Sequence, residues 1–320
     1  MANQEKNSII EVKNLKKYFN AGKKDEVKAV DDISFNIYEG ETFGLVGESG
    51  SGKSTTGRTL LKLEDITEGE ILFKGQNIED VRSRKELLNF RNAMQMIFQD
   101  PYASLNPRLT VGNTVKGALD VHRIGQNRRE QDQMVKELIQ AVGLDASFIN
   151  RYPKELSGGQ CQRVGIARAL AVEPELIIAD EAISALDVSI QAQVVNLLIE
   201  LKKSMNLTYL FIAHDLSMVR FISDRIGVMN SGKLLEIASS DELYKAPLHP
   251  YTESLLSAIP VADPEEERHR QRVTYDRSTH QYEENEKVAM YEIAPEHFVY
   301  CHADEIEGYK IKYEQLLQNA

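Results

Sequence analysis

Short apolar runs that end in polar residues recur along the chain. "ETFGLVG", Glu41 to Gly47, is apolar and bounded by glycine, and reads as a buried strand. "KSTTGRTLLKL" follows with the helical spacing of Leu60, Leu61 and Leu63, so the Gly-rich stretch between them is a strand-to-helix loop. "ELIIADE" and "TYLFIAHD" are two more such runs, and they leave Asp180, Glu181 and His214 at strand ends. Apolar strands alternating with helices predict an α/β fold with a parallel sheet covered on both faces. Ligands of such sheets sit at the carboxyl ends of the strands.

Before the loop, "IIEVKNLKKYF" and "KAVDDISFNIYEGE" alternate or carry β-branched residues and predict an antiparallel β side sheet. From about Pro101 to Glu155 the pattern changes. "NTVKGALDVHRIG" and "REQDQMVKELIQAVGL" are amphipathic with no strand between them, and they predict a helical subdomain inserted at about residues 100–157. The α/β pattern resumes near Gly158 and runs to about Ala246. We therefore expect one domain over residues 1–246 and a C-terminal extension over 247–320. In the extension, "HPYTESLLSAIP" predicts a helix capping the core, residues 263–287 read as charged and polar, and "KVAMYEIAPEHFVYCH" predicts a small strand pair.

Composition narrows the class. Of 320 residues, 42% are hydrophobic and 27% charged, which fits a packed globular chain and excludes a disordered one. The net charge of −11 disfavours a nucleic-acid partner. Residues 263–320 hold 14 Asp and Glu against 7 Lys and Arg, so most of the excess acid lies in the tail. The opening "MANQEKNSIIEVKNLKKYF" has no apolar core of a secretion signal, and no run is long enough to span a bilayer; a cytoplasmic location is expected. Cys161 and Cys301 offer neither a metal spacing nor a disulfide framework and read as reduced thiols.

"GESGSGKS", from Gly47, matches the phosphate-loop pattern between a predicted strand and a predicted helix. Gly47, Gly50 and Gly52 let successive N–H groups point inward, and the helix N-terminus adds partial positive charge. Lys53 brings a full charge to the β- and γ-phosphates, and the Ser54 hydroxyl ligates Mg²⁺. A bare Gly-rich turn would not require Lys and Ser at those positions. Asp180 emerges from "LIIAD" to hold Mg²⁺ through water; by itself it would read as an ordinary surface acid. Glu181 stands next to it, placed to polarise a water aimed at the γ-phosphate. His214 could bond that phosphate or that water, though taken alone it would more often be a satisfied core histidine. Gln99, after the apolar "MQMIF", fits surface or site.

Together these residues resemble the ATP-binding subunits of ABC transporters. The resemblance rests on Walker A "GESGSGKST", the Q-loop "IFQDP", the signature "LSGGQ", Walker B "LIIADE", the D-loop "SALD" and "IAHD", in that order from roughly Ile10 to Lys245. "QDPYASLNPRLTVG", "HPYTESLLSAIP" and "YEIAPEHFVYCH" are similar to the oligopeptide and dipeptide importer branch. The family implies a P-loop NTPase core and cofactors ATP and Mg²⁺. It implies nucleotide contacts from Gly47, Glu48, Ser49, Gly50, Ser51, Gly52, Lys53, Ser54 and Thr55. It implies an adenine-stacking Tyr18, Gln99 as a Mg²⁺ sensor, the signature residues Ser157, Gly158, Gly159 and Gln160, and Asp187 of the D-loop.

The family further implies that two subunits pair head to tail, each ATP lying between one chain's phosphate loop and the other's signature. The implied partners are a second ATPase subunit, a paralogue or another copy, two membrane permeases on whose inner face the chain sits, and an extracellular peptide-binding protein. Import of oligopeptides is the expected role; dipeptides, nickel or another small solute is the alternative. A soluble ABC ATPase acting on DNA or ribosomes is a further one, disfavoured by a single core and the negative charge. Some relatives carry a Cys-rich end suited to an iron–sulfur cluster; here Cys301 stands alone. Ala182 and Ile183 replace the family's usual Pro and Thr or Val, so the turn after Glu181 is expected to differ in stiffness. Cys161 is expected as a helix surface or packing residue.

Overall fold

The structure, a computed structural model, describes residues 7–259, 272–276, 282 and 287–318. Most of the polar stretch 263–287 marked by the sequence lies outside the described residues.

The alternating N-terminal segments form the expected side sheet. Strands β1 (Ser8–Phe19) and β2 (Val27–Tyr38) pair antiparallel, and β1 also pairs with β4 (Glu68–Phe73), which turns into the two-residue β5 (Gln76–Asn77). The continuous apolar runs form the parallel sheet. In β3 (Thr42–Val46), β7 (Leu176–Asp180) and β8 (Thr208–Ala213) every residue is buried, as strands covered on both faces must be. With β6 (Met94–Ile97) and β9 (Arg225–Asn230) they run parallel in the order β9-β3-β8-β7-β6.

Helix α1 (Lys53–Leu60) follows β3 directly, and α2 (Arg84–Ala93) leads into β6 behind a Ser83–Glu86 capping box. The insert consists of α3 (Val111–His122) and α4 (Arg128–Ala141), closed by two short turns of tighter helix. Next come α5 (Gly158–Leu170), α6 (Val188–Met205) and α7 (Leu216–Ile222). Val115, Leu119, Val135 and Ile139 of the insert share one core with Val164 of α5 and Phe211 of β8. A second core fills the space between the two sheets, where Phe35 and Phe43 stack at 5.2 Å.

The tail behaves differently from a separate strand pair. Strand β10 (Lys233–Ser239) is antiparallel to β9; α8 (Ser240–Lys245) and α9 (Pro250–Ser257) follow it. Strands β11 (Val288–Ala294) and β12 (His297–His302) then pair with each other, and β12 also pairs with β10. The expected hairpin exists, but it completes one eight-stranded sheet, β11-β12-β10-β9-β3-β8-β7-β6. Helix α10 (Ile306–Gln318), not foreseen from the sequence, packs Tyr309 over Val299 and Cys301.

The two thiols are buried, and burial pushes Cys161 up to about 11 and Cys301 up to about 12. Cys161 is thus a packing residue of α5.

Candidate nucleotide-binding site

The loop from Gly47 to Gly52 has a backbone that only glycine tolerates at its two ends. Gly47 has φ +151°, and a Cβ there would lie 2.0 Å from the Met229 carbonyl oxygen; Gly52 has φ +105°, and a Cβ would lie 2.2 Å from that of Ala29. Gly52 is the N-cap of α1 and supplies no side-chain acceptor, so the first-turn N–H groups are left for an anion. Lys53 opens the helix and is 3% exposed. Its ammonium donates to the carbonyls of Gly47 at 2.7 Å and Glu48 at 2.8 Å and to Ser51 Oγ at 3.2 Å. Burial lowers the Lys53 pKa, opposed by the charges of Glu181, Asp180 and Glu48.

The next residue reaches the neighbouring strand end. Ser54 Oγ donates to Asp180 Oδ1 at 2.6 Å. Burial raises the Asp180 carboxyl above its ordinary range, with the Ser54 bond and the Arg58 charge working against it. A hydroxyl and a carboxylate oxygen side by side form the hard donor set that Mg²⁺ accepts. Among the described residues no group of three or more His, Cys, Asp or Glu could hold a metal by itself.

Glu181 has φ +45°, an uncommon left-handed conformation for a non-glycine residue. Its N–H donates to Ile212 O of β8 at 3.0 Å, which pins the turn to the sheet. Gln99 Nε2 donates to Glu181 Oε2 at 2.8 Å, and His214 Nδ1 stands 3.4 Å from the same oxygen. Side chains from the ends of β6, β7 and β8 therefore converge on one carboxylate. The turn beyond it is held without proline: Ser184 N–H and Oγ both donate to Glu181 O, at 3.0 and 2.9 Å, and Ala182 and Ile183 are buried.

A model of the ABC transporter family matches residues 30–184, and one for the oligopeptide/dipeptide transporter C-terminal region matches 235–284. The oligopeptide transport ATP-binding protein OppF of Bacillus subtilis (strain 168) is 60% identical over 301 residues, 94% of this chain and 98% of its own. The dipeptide transport ATP-binding protein DppF of Lactococcus lactis subsp. cremoris is 54% identical over 308 residues, 96% and 98%. The chain belongs to the ABC transporter family. Among solved structures, the dimeric ATP-binding cassette MJ0796 in a post-hydrolysis state bound to ADP and Pi superposes with a TM-score of 0.65. It is 31% identical to this cassette, and the match covers 72% of this chain and 98% of that one.

The cassette's signature forms a separate structure. Ser157 caps α5, accepting from Gln160 N–H at 3.3 Å, while its own N–H donates to Gln160 Oε1 at 3.0 Å. A Cβ on Gly159 would strike Ile190 Cγ2 at 2.5 Å, so this glycine is needed for packing against α6. Gly158 faces Leu186 and Tyr102. The loop rises from β3 and three strand spacings separate β3 from the edge strand β6, about 14 Å. Asp187, exposed, is the N-cap of α6.

Tyr18 lies in β1, half-buried. Its hydroxyl donates to Asp31 Oδ1, and Lys28 Nζ sits 5.2 Å from the ring centroid. Burial and that bond raise the Tyr18 hydroxyl. Asp31 is also paired with Lys233 at 2.9 Å; burial opposes its charge, yet the two hydrogen bonds bring it below its ordinary value. Phe19, 37% exposed, is no core residue.

One residue at the loop was not anticipated. Glu48 N–H donates to Tyr251 Oη at 3.1 Å. "HPYT" reads locally as a helix start, His249 capping and Pro250 at the first position, and nothing in that reading points to a loop two hundred residues away.

Proposed function

We propose that the chain is one ATPase subunit of a head-to-tail pair that powers import of oligopeptides through separate membrane permeases. The cassette is an ATP hydrolase by family. The observation that carries the reading is the separation of two anion-seeking helix starts. One, at Lys53, adjoins the full set of Ser54, Asp180, Glu181, Gln99 and His214; the other, at Ser157, opens a different helix, α5, beside Leu186 and Tyr102. A ligand enclosed by both needs a second chain. Residues 1–246, with the insert at about 100–157, are proposed as the nucleotide-binding domain, and 247–320 as its extension.

In this reading the loop from Gly47 to Thr55 cradles the triphosphate, Lys53 neutralises the β- and γ-phosphates, and Tyr18 offers its ring to adenine. Ser54, Asp180 and Gln99 would hold Mg²⁺, which would neutralise charge on the phosphates. Glu181 orients the attacking water and accepts its proton, and His214 holds the γ-phosphate. Ser157, Gly158, Gly159, Gln160 and Asp187 close on the partner's nucleotide. No helix among the described residues is long and apolar enough to cross a membrane. Permeases therefore supply the pathway, and the chain docks on their inner face beside the insert.

The names of the relatives support peptides as cargo, and the DppF match favours dipeptides as a second reading. A deletion strain tests both. Uptake of labelled tetrapeptides is expected to vanish and to return with the wild-type gene. Unchanged peptide uptake would overturn the transport assignment, and loss confined to dipeptides would favour the second reading.

A further inference from the structure

The Gly47–Glu48 peptide unit is gripped at both ends. Its carbonyl, Gly47 O, accepts from Lys53 Nζ at 2.7 Å, and its N–H, on Glu48, donates to Tyr251 Oη at 3.1 Å. The unit is trans, so its C=O and N–H point in opposite directions. The lysine and the tyrosine therefore set one plane from opposite sides. Glycine at position 47, with no Cβ, restricts its own ψ, one of the two torsions that turn that plane, less than any other residue would. Something outside the loop has to choose the orientation that presents the carbonyl to the ammonium.

Tyr251 is built to be that fixed point. It is 2% exposed, and its ring packs edge-on against Tyr275 at 5.4 Å. Its N–H donates to the His249 imidazole at 3.1 Å. The backbone just before it is held by Glu236 of β10, a fully buried carboxylate that accepts from Leu248 N–H at 2.8 Å and His249 N–H at 2.9 Å. The same carboxylate meets His297 Nε2 of β12 at 2.7 Å. The start of α9 is thus fixed to the sheet by buried hydrogen bonds, and the phenol has one place to put its oxygen.

We propose that Tyr251 is a positioning residue for the nucleotide site: its hydroxyl holds the Gly47–Glu48 peptide so that the Lys53 ammonium is presented to the nucleotide phosphates. This rests on the ATP-binding reading and extends it, because it assigns the C-terminal extension a part in nucleotide affinity. A neutral hydrogen bond sets the size of the effect.

The test uses the full chain and Tyr251→Phe, which removes one oxygen and keeps the ring packing. MgATP binding at equilibrium and phosphate release over a range of ATP concentrations are measured for both proteins. The expected result is an approximately fivefold rise in Kd and KM for MgATP with kcat at saturation within twofold of wild type. A purely structural role would lower the melting temperature and leave KM unmoved, and that outcome overturns the proposal. A fall in kcat at constant KM also overturns it. A second measurement needs no variant: in the nucleotide-free wild type, the Glu48 amide is expected to exchange its proton at least tenfold more slowly than the Ser49 amide. Equal exchange would show that the hydroxyl does not hold it. Wild-type protein that binds no MgATP removes the ATP reading itself. Wild-type binding with an unchanged Kd in Tyr251→Phe removes only this inference.

Discussion

Glu181 Oε2 is the atom on which the strand ends converge. Gln99 donates to it at 2.8 Å and His214 stands 3.4 Å away, so its lone pairs are aimed before any water arrives. In the proposed role of base it contributes through its charge and its capacity to take a proton, and Glu181→Gln removes both while keeping the volume. Phosphate release is expected to fall by about 10²-fold or more, with MgATP affinity retained. A phosphate-release assay beside equilibrium binding checks it, and near-wild-type turnover would refute the assignment. At this scale much was legible. Lys53, Ser54, Asp180, Glu181 and His214 follow from motif order, because each motif is tied to a strand end. The φ of +45° at Glu181 was not legible, since it comes from a turn pinned across to Ile212 O. Nor was Tyr251, whose bond to the loop depends on how β10, α9 and the sheet are stacked.

Helix α5 carries its proposed function at its first turn. Ser157 and Gln160 satisfy each other there, and Gly159 keeps the helix start low against α6. Arginine at position 157 loses the cap, at a cost of about 1 kcal/mol, and sets a long cation on the surface proposed to meet the second subunit. The loop carrying Lys53 is untouched by that change. In a Glu181→Gln background, Ser157→Arg is expected to bind MgATP as a monomer with affinity within about threefold of the parent, a change of under 1 kcal/mol. It is also expected to fail to pair with itself or with a cognate subunit, as read by light scattering. Loss of monomer binding would show that the signature serves its own chain. The sequence shows this helix and the two of the insert because their apolar spacing is unbroken. It hides β9 and β10, whose "RIGVMN" and "KLLEIAS" are short, lie across a tight turn and are told from helix only by their neighbours.

On the scale of the whole molecule, the C-terminal extension is part of the sheet that bears the site. The β11–β12 hairpin was visible as alternation, but its place beside β10 was not, because register across a sheet is written in long-range contacts. The junction turns on Glu236 and His297, both 0% exposed, joined at 2.7 Å, with Leu248 and His249 N–H groups completing the carboxylate's shell. Burial alone would raise the Glu236 pKa, yet the His297 bond and charge and the Leu248 N–H bring it below its ordinary value. A carboxyl with a lowered folded-state pKa contributes stability that is complete above its unfolded pKa, about 4.3, and is lost as pH falls through the folded value. Glu236→Gln cannot gain that contribution at any pH. The variant is therefore expected to be less stable than wild type at pH 7 by about 3 kcal/mol, as for one broken half of a buried pair. The gap is expected to narrow progressively below about pH 4 as the wild-type carboxyl takes up its proton. Denaturant titrations of both proteins between pH 7 and pH 3 measure it. A gap that stays constant across that range means that Glu236 is not held charged in the fold, and that the extension docks by packing rather than through this hydrogen-bonded pair.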